Sequence, residues 1–212
     1  MKKRKVIAGI LIVLGLAVTS VPFLYRYMGS QRSEEMIGRF EQMTEQETEK
    51  RHEEKEDLGQ ENTEASGSQE DAATLAKEEV IGLIEIEALD IKYAVLNGTD
   101  SHVLSCGIGH ITDTAGIGEK GNCVLAGHNG SRHGTFFTNL KNIQTGDVVK
   151  LTDKEGNVYL YTAESMEVVD PYDNSVKTQG EKTELTLITC ENKGTMRRVV
   201  KCTMSEASLT HE

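Results

Sequence analysis

ELTLITCENKGTMRRVVKC (residues 184–202) pairs two apolar runs across a short polar turn. The first run ends on Cys190, and the second opens on Arg197 and Arg198. Two such runs joined by a glycine-containing turn read as a β-hairpin. In a hairpin, directly opposed Cβ atoms lie about 4.5–5.5 Å apart, so one arginine faces the thiol. A neighbouring cation favours the thiolate, which is the nucleophilic form. An arginine cannot give up its charge, so it suits a developing oxyanion but not a proton relay. Strand alternation sends the two arginines to opposite faces, and the sequence alone leaves open which one shares a face with Cys190.

The proton relay calls for a histidine. His52 and His211 lie outside the region of strand-like runs, and His102, His110 and His133 have no distinctive frame. His128 ends GNCVLAGHNG (121–130), a second apolar run that breaks at a glycine-flanked loop. A histidine and a cysteine, each placed where a buried strand surfaces, meet the needs of a Cys–His nucleophilic site.

Further β-forming runs surround these two: VIGLIEIE (80–87), IKYAVLN (91–97), DVVKL (147–151) and NVYLYTAESMEVV (157–169). Asn97-Gly98, Gly146, Glu155-Gly156-Asn157 and Asp170-Pro171 supply turn signals between runs. Regular runs with such turns predict a mostly β fold, a small closed barrel. Short helices are expected at Ser101–Cys106 and at Gly134–Ile143, the latter with Thr135 as cap and an apolar Phe136, Phe137, Leu140, Ile143 spacing. The folded domain is expected over 80–206, with a tail at 207–212.

The rest of the chain is organised differently. Residues 1–5 carry Lys2, Lys3, Arg4 and Lys5, and 6–25 contain no charge. Twenty apolar residues suffice to span a bilayer as a helix. The basic cluster on their N-terminal side keeps that end cytoplasmic and places the rest outside the cell. This reads as an uncleaved, single-pass signal anchor. Residues 26–79 read as an acidic extracellular stalk, since 31–79 hold 16 Asp and Glu against 6 Lys and Arg and few large apolar residues, with a charged helix of Glu/Lys pairs as an option around Ser33–Arg51. The net charge of −11 argues against a nucleic-acid binder. Of the four cysteines, Cys106, Cys123 and Cys202 read as buried free thiols, because a domain of this size needs no staples.

A-G-H-N-G followed by T-L-I-T-C and then by R-x-V-V resembles the sortase family, the membrane-anchored cysteine transpeptidases of Gram-positive bacteria. The resemblance covers 80–206, from I-G-L-I-E-I (81–86) through G-I-G-H-I (107–111). G-I-G-H-I and D-P-x-D-x-S-V are most similar to class D, with class A next. The resemblance implies an eight-stranded β-barrel and a catalytic set of Cys190, His128 and Arg197, with Arg198 as the alternative arginine. It implies that Thr189 shapes the substrate pocket and oxyanion site. It implies cleavage of an LPxTG-like C-terminal sorting signal through a thioacyl-enzyme. The acyl group would pass to an amine of a peptidoglycan cross-bridge or a pilin. Neither metal nor organic cofactor is expected; Asp113 and Glu119 lie in an acidic loop without strong metal-site spacing.

Two other readings of the residues exist. A hydrolytic cysteine endopeptidase of the same fold shares the acyl-enzyme half of the reaction. A zinc module could draw on Cys106, His110, Cys123, His128 and His133, although their spacing fits no recognised knuckle.

Overall fold

A computed structural model describes residues 34–45, 79–130 and 136–205. The expected anchor at 6–25 lies outside these residues. Among the described residues no helix is long and apolar enough to cross a membrane. Helix α1 spans 34–45. Then follow β1 (Val80–Ile86), β2 (Ile91–Asn97), α2 (Ser101–Cys106), β3 (Ile108–His110) and β4 (Gly121–Gly127). β5 (Val148–Asp153), β6 (Val158–Val169), β7 (Thr183–Glu191) and β8 (Met196–Met204) complete the set. The strands close into one barrel in the order β1-β2-β3-β4-β7-β8-β6-β5. Neighbours are antiparallel except for β2–β3 and β4–β7, which run parallel.

Alternation along each strand fills the barrel. Leu185 and Leu187 of β7, Cys123 and Leu125 of β4, and Val200 and Cys202 of β8 all join the interior cluster. β4 and β7 are buried on their outer faces as well. There Val124, Ile188 and Val199 pack with Val176, Ile111 and Val169 from the flanking segments. Double burial explains why these strands read as unbroken apolar runs rather than as an alternating pattern. β6 shows the contrast: its second half is mostly exposed.

The second expected helix is replaced by a shorter 3-10 turn at Thr138–Asn142. Phe136, at φ 34°, cannot belong to a right-handed helix. The apolar spacing still serves burial: Phe136, Phe137, Leu140 and Ile143 all enter the interior cluster.

The stalk reading requires a correction over 34–45. α1 does not stand free, since Met36 and Phe40 are buried. Met36 packs with Ala94, Leu96, Val103 and Cys106, and Glu41 pairs with Lys92 at 2.8 Å. Met36 and Phe40 lie four residues apart, so they share one helix face. The acidic composition of the surrounding segment hides this narrow stripe.

Candidate active site

The β7–β8 turn sets the register of the site. Asn192, Lys193 and Gly194 all have positive φ, at 47°, 58° and 93°. Glycine takes this conformation freely, but for lysine it costs of order 1–3 kcal/mol. The strands close at Glu191↔Met196, and Cys190 then faces Arg197 while Thr189 faces Arg198. A one-residue slip would exchange the two arginines.

Parity brings in the histidine. In β4–β7 the last paired residues are Gly127↔Thr189, so His128 continues alongside Cys190. Adjacent strands lie about 4.8 Å apart. Val124 on β4, Ile188 on β7 and Val199 on β8 belong to the outer cluster. His128, one residue past the end of β4, and Cys190 and Arg197 on β7 and β8 carry the same parity and so stand side by side on that outer face. Cys190, His128 and Arg197 are each partly exposed, whereas Cys106, Cys123 and Cys202 are buried.

The other residues of the set fall elsewhere. Arg198 has interior parity at the barrel mouth, where its Nε donates to Glu191 Oε2 at 2.8 Å. Arg197 folds back over the turn, with Nη1 donating to Gly194 O at 2.9 Å and Met196 O at 3.0 Å. Thr189 is buried, and its hydroxyl donates to Gly127 O at 2.7 Å. That hydrogen is committed to the joint between β4 and β7 and does not face Cys190.

His128 is held from its other side. Phe137 N donates to His128 O at 3.1 Å, and the Phe136 ring centroid lies 6.4 Å from that of the imidazole. Phe136 also packs on Tyr93 at 5.1 Å. The close approach needs Gly127: a Cβ there would meet Phe137 and Ile108 side-chain atoms at 2.7 Å. Asn129, in the glycine-flanked loop after His128, donates its side-chain amide to Cys190 O at 2.7 Å. Nothing in N-G after a histidine signals a contact 61 residues away.

The remaining cysteines are chemically quiet. Burial pushes the Cys123 thiol up to about 12, with the Glu119 charge adding to it. Burial likewise pushes Cys202 up to about 12, with Glu164 adding to it. The zinc reading finds no assembled ligand set. Cys106 packs beneath α1, Cys123 lies inside the barrel, and His110 Nε2 donates to Ala115 O at 2.9 Å. His133 lies outside the described residues. Among the described residues no group of three His, Cys, Asp or Glu could hold a metal ion. Asp113 pairs with Lys177 at 3.0 Å, which holds its carboxyl below the usual range. Glu119 accepts from Gly116 N at 2.9 Å.

A sortase-domain family model matches residues 84–205. The chain belongs to the sortase family. It is 36% identical to sortase A of Bacillus anthracis over 118 residues, which are 56% of this chain and 55% of that protein. The chain thus spans about half the length of the curated relatives it matches. Among solved structures it is similar to a Clostridium perfringens sortase D5 transpeptidase, with TM-score 0.56, 32% identity, and coverage of 63% of this chain and 86% of that one. It is also similar to a Clostridium perfringens sortase C with the C-terminal cell wall sorting motif. That match has TM-score 0.56 and 28% identity, and covers 60% of this chain and 71% of the other. Both class A and class D sortases therefore stand among its relatives, and the eight-stranded barrel is the fold they share with it.

Proposed function

We propose that this sortase is a cysteine transpeptidase acting on an LPxTG-like C-terminal sorting signal. The supporting observation is the common outer face of His128, just past β4, with Cys190 on β7 and Arg197 on β8. The Cys190 thiolate attacks the threonine carbonyl of the Thr–Gly-like bond in the signal. Arg197 leaves its turn carbonyls to steady the tetrahedral oxyanion. His128, as imidazolium, protonates the departing amine, and a thioacyl-enzyme remains. A cell-wall amine, from a peptidoglycan cross-bridge or a pilin, then attacks the thioester while His128 takes up its proton. Cys190 is released as thiolate, so each cycle returns the starting state without a metal or organic cofactor.

The outer cluster around Ile188 and Val199 lies beside Cys190 and offers an apolar floor to an extended peptide. The solved sortase C with the C-terminal cell wall sorting motif makes such a peptide the natural first substrate to try. The apolar 6–25 would anchor the chain as a single membrane span, with a cytoplasmic N-terminus and an extracellular catalytic domain. Its partners would be surface-protein precursors and membrane lipid.

Product mass spectrometry tests this reading. The full chain is incubated with LPxTG and LPxTA peptides, with and without triglycine, beside a Cys190→Ala variant. Cleavage after threonine with an amine-ligated product that vanishes without Cys190 supports the transpeptidase. Free acid alone, even with amine present, would instead make it an endopeptidase.

A further inference from the structure

We infer that Asn129 is a positioning residue, which fixes His128 against Cys190 by bonding the carbonyl of the nucleophile's own residue. The inference rests on the transpeptidase reading above.

The β4–β7 ladder ends at Gly127↔Thr189, one step before the two reacting side chains. Beyond it the β4 chain leaves: His128 O accepts from Phe137 N, so that carbonyl is engaged with the segment after the loop. Two side-chain bonds take over from the ladder, one on each side of His128. Thr189 Oγ1 donates to Gly127 O at 2.7 Å, and Asn129 Nδ2 donates to Cys190 O at 2.7 Å. A carbonyl only accepts, so the amide nitrogen of Asn129 must face it. The Asn129 bond also pins the peptide plane that carries Cys190 into the turn.

The two braces differ in kind. Thr189 is buried, and its loss would disturb folding. Asn129 is exposed, so its bond contributes little to stability. Its value lies in placement, because a misplacement of about 1 Å can cost on the order of 100-fold in rate. Removing it should slow the chemistry without unfolding the protein.

The test compares the full chain with Asn129→Ala and with Asn129→Asp, which keeps the size but replaces the donor by an acceptor. It reads kcat and KM for amine ligation on an LPxTG peptide, the melting temperature, and the rate of Cys190 alkylation by iodoacetamide at pH 7. Both variants should lose about tenfold in kcat, with KM within twofold, melting within about 1 °C, and alkylation slowed several-fold. A kcat within twofold of the parent, a rise in KM instead, or a kcat loss matched by a fall in melting temperature overturns the inference. If the parent itself turns over no peptide, the transpeptidase reading fails, and alkylation alone decides: a rate unchanged or raised in Asn129→Ala overturns the positioning role.

Discussion

Arg198 Nε lies 2.8 Å from Glu191 Oε2, on the face opposite to Cys190, while Arg197 stands directly across from the thiol. Two adjacent arginines are thereby sorted by a register and one carboxylate. The pair is only partly buried, so the ion pair itself is worth about 1 kcal/mol or less. Loss of a single oxyanion donor costs on the order of 100- to 1,000-fold in kcat. Arg197→Ala should show that loss, and Arg198→Ala should stay within about fivefold of the parent. Acyl-enzyme formation measured by mass spectrometry ranks them, and the reverse order would mean that the turn is read in the wrong register.

The thiols should separate cleanly under a methanethiosulfonate reagent. Cys190 is half-buried at a strand end, whereas Cys106, Cys123 and Cys202 are buried. One label per folded chain is expected, and four after urea. Early labelling of Cys123 or Cys202 in the folded protein would refute their interior placement.

Alkaline pH should destabilise the barrel through the same buried groups. Cys123 and Cys202 ionise near 12 when folded, against an ordinary value of 9.0. A pKa raised by folding gives stability that is complete below the unfolded value and is lost as pH rises through the folded one. Between about 9 and 12, each such thiol lowers stability by about 1.4 kcal/mol per pH unit. Tyr159, raised to about 12 chiefly by burial, and Tyr161, raised by burial still further, add to the fall. Urea midpoints at pH 8, 9.5 and 11 should drop steeply, and Cys123→Ala should flatten the slope by one thiol's share. Parallel profiles for parent and variant would remove the thiol from the account.

Docking of α1 predicts that the segment before the barrel contributes to its stability. Phe→Ala at a buried site costs about 3–5 kcal/mol where the structure cannot relax. Here α1 can undock, so the penalty is capped by the docking energy. Phe40→Asp should therefore release the whole helix. Amides of 34–45 would then exchange freely with deuterium, while β7 and β8 keep their protection. Equal protection of α1 in parent and variant would mean that the burial of Phe40 does not hold it.

Much of this architecture was legible in the chain because it is local. β2 and α2 fall on the expected residues, and β7 and β8 extend the expected hairpin by a residue or two at each end. A hairpin writes its own signal in two runs and a turn with Gly194, but the register that sets Arg197 rather than Arg198 across from Cys190 comes from the structure. What escaped is non-local. β3 has three residues, one of them glycine, which is too short for a period to register. The parallel partnership of β4 with β7 depends on everything between them, so no spacing announces that His128 ends beside Cys190. α1 falls within the charged helix expected around Ser33–Arg51, but its docking rests on two apolar residues in an acidic segment, and Asn129 looks like any turn former. The inward turn of the Thr189 hydroxyl follows from strand parity, but only once the register against Gly127 is known.

If the proposed peptide lies on the apolar cluster beside Cys190, the segment between β6 and β7 should behave as a preset wall for it. Gln179 imitates a neighbouring strand: its Oε1 accepts from Asn122 N at 2.9 Å, and its Nε2 donates to Asn122 O and Lys177 O, each at 3.0 Å. Asn122 Nδ2 in turn donates to Val176 O at 3.0 Å, and Thr186 Oγ1 donates to Asn122 Oδ1 at 2.8 Å. These bonds press Val176 onto Val124, Ile188 and Val199, the apolar floor beside Cys190. Asn122 is buried, so Asn122→Ala would strand several polar partners at about 1–3 kcal/mol each and should destabilise the fold. Gln179→Ala is the milder probe. It should loosen 174–180 and raise KM for an LPxTG peptide about three- to tenfold, because each encounter must then order the wall. With Cys190, His128 and Arg197 untouched, kcat should stay within twofold. Limited proteolysis should find a new cut within 170–182, which the peptide suppresses. An unchanged KM together with unchanged proteolysis would show that the wall stands without the Gln179 bonds.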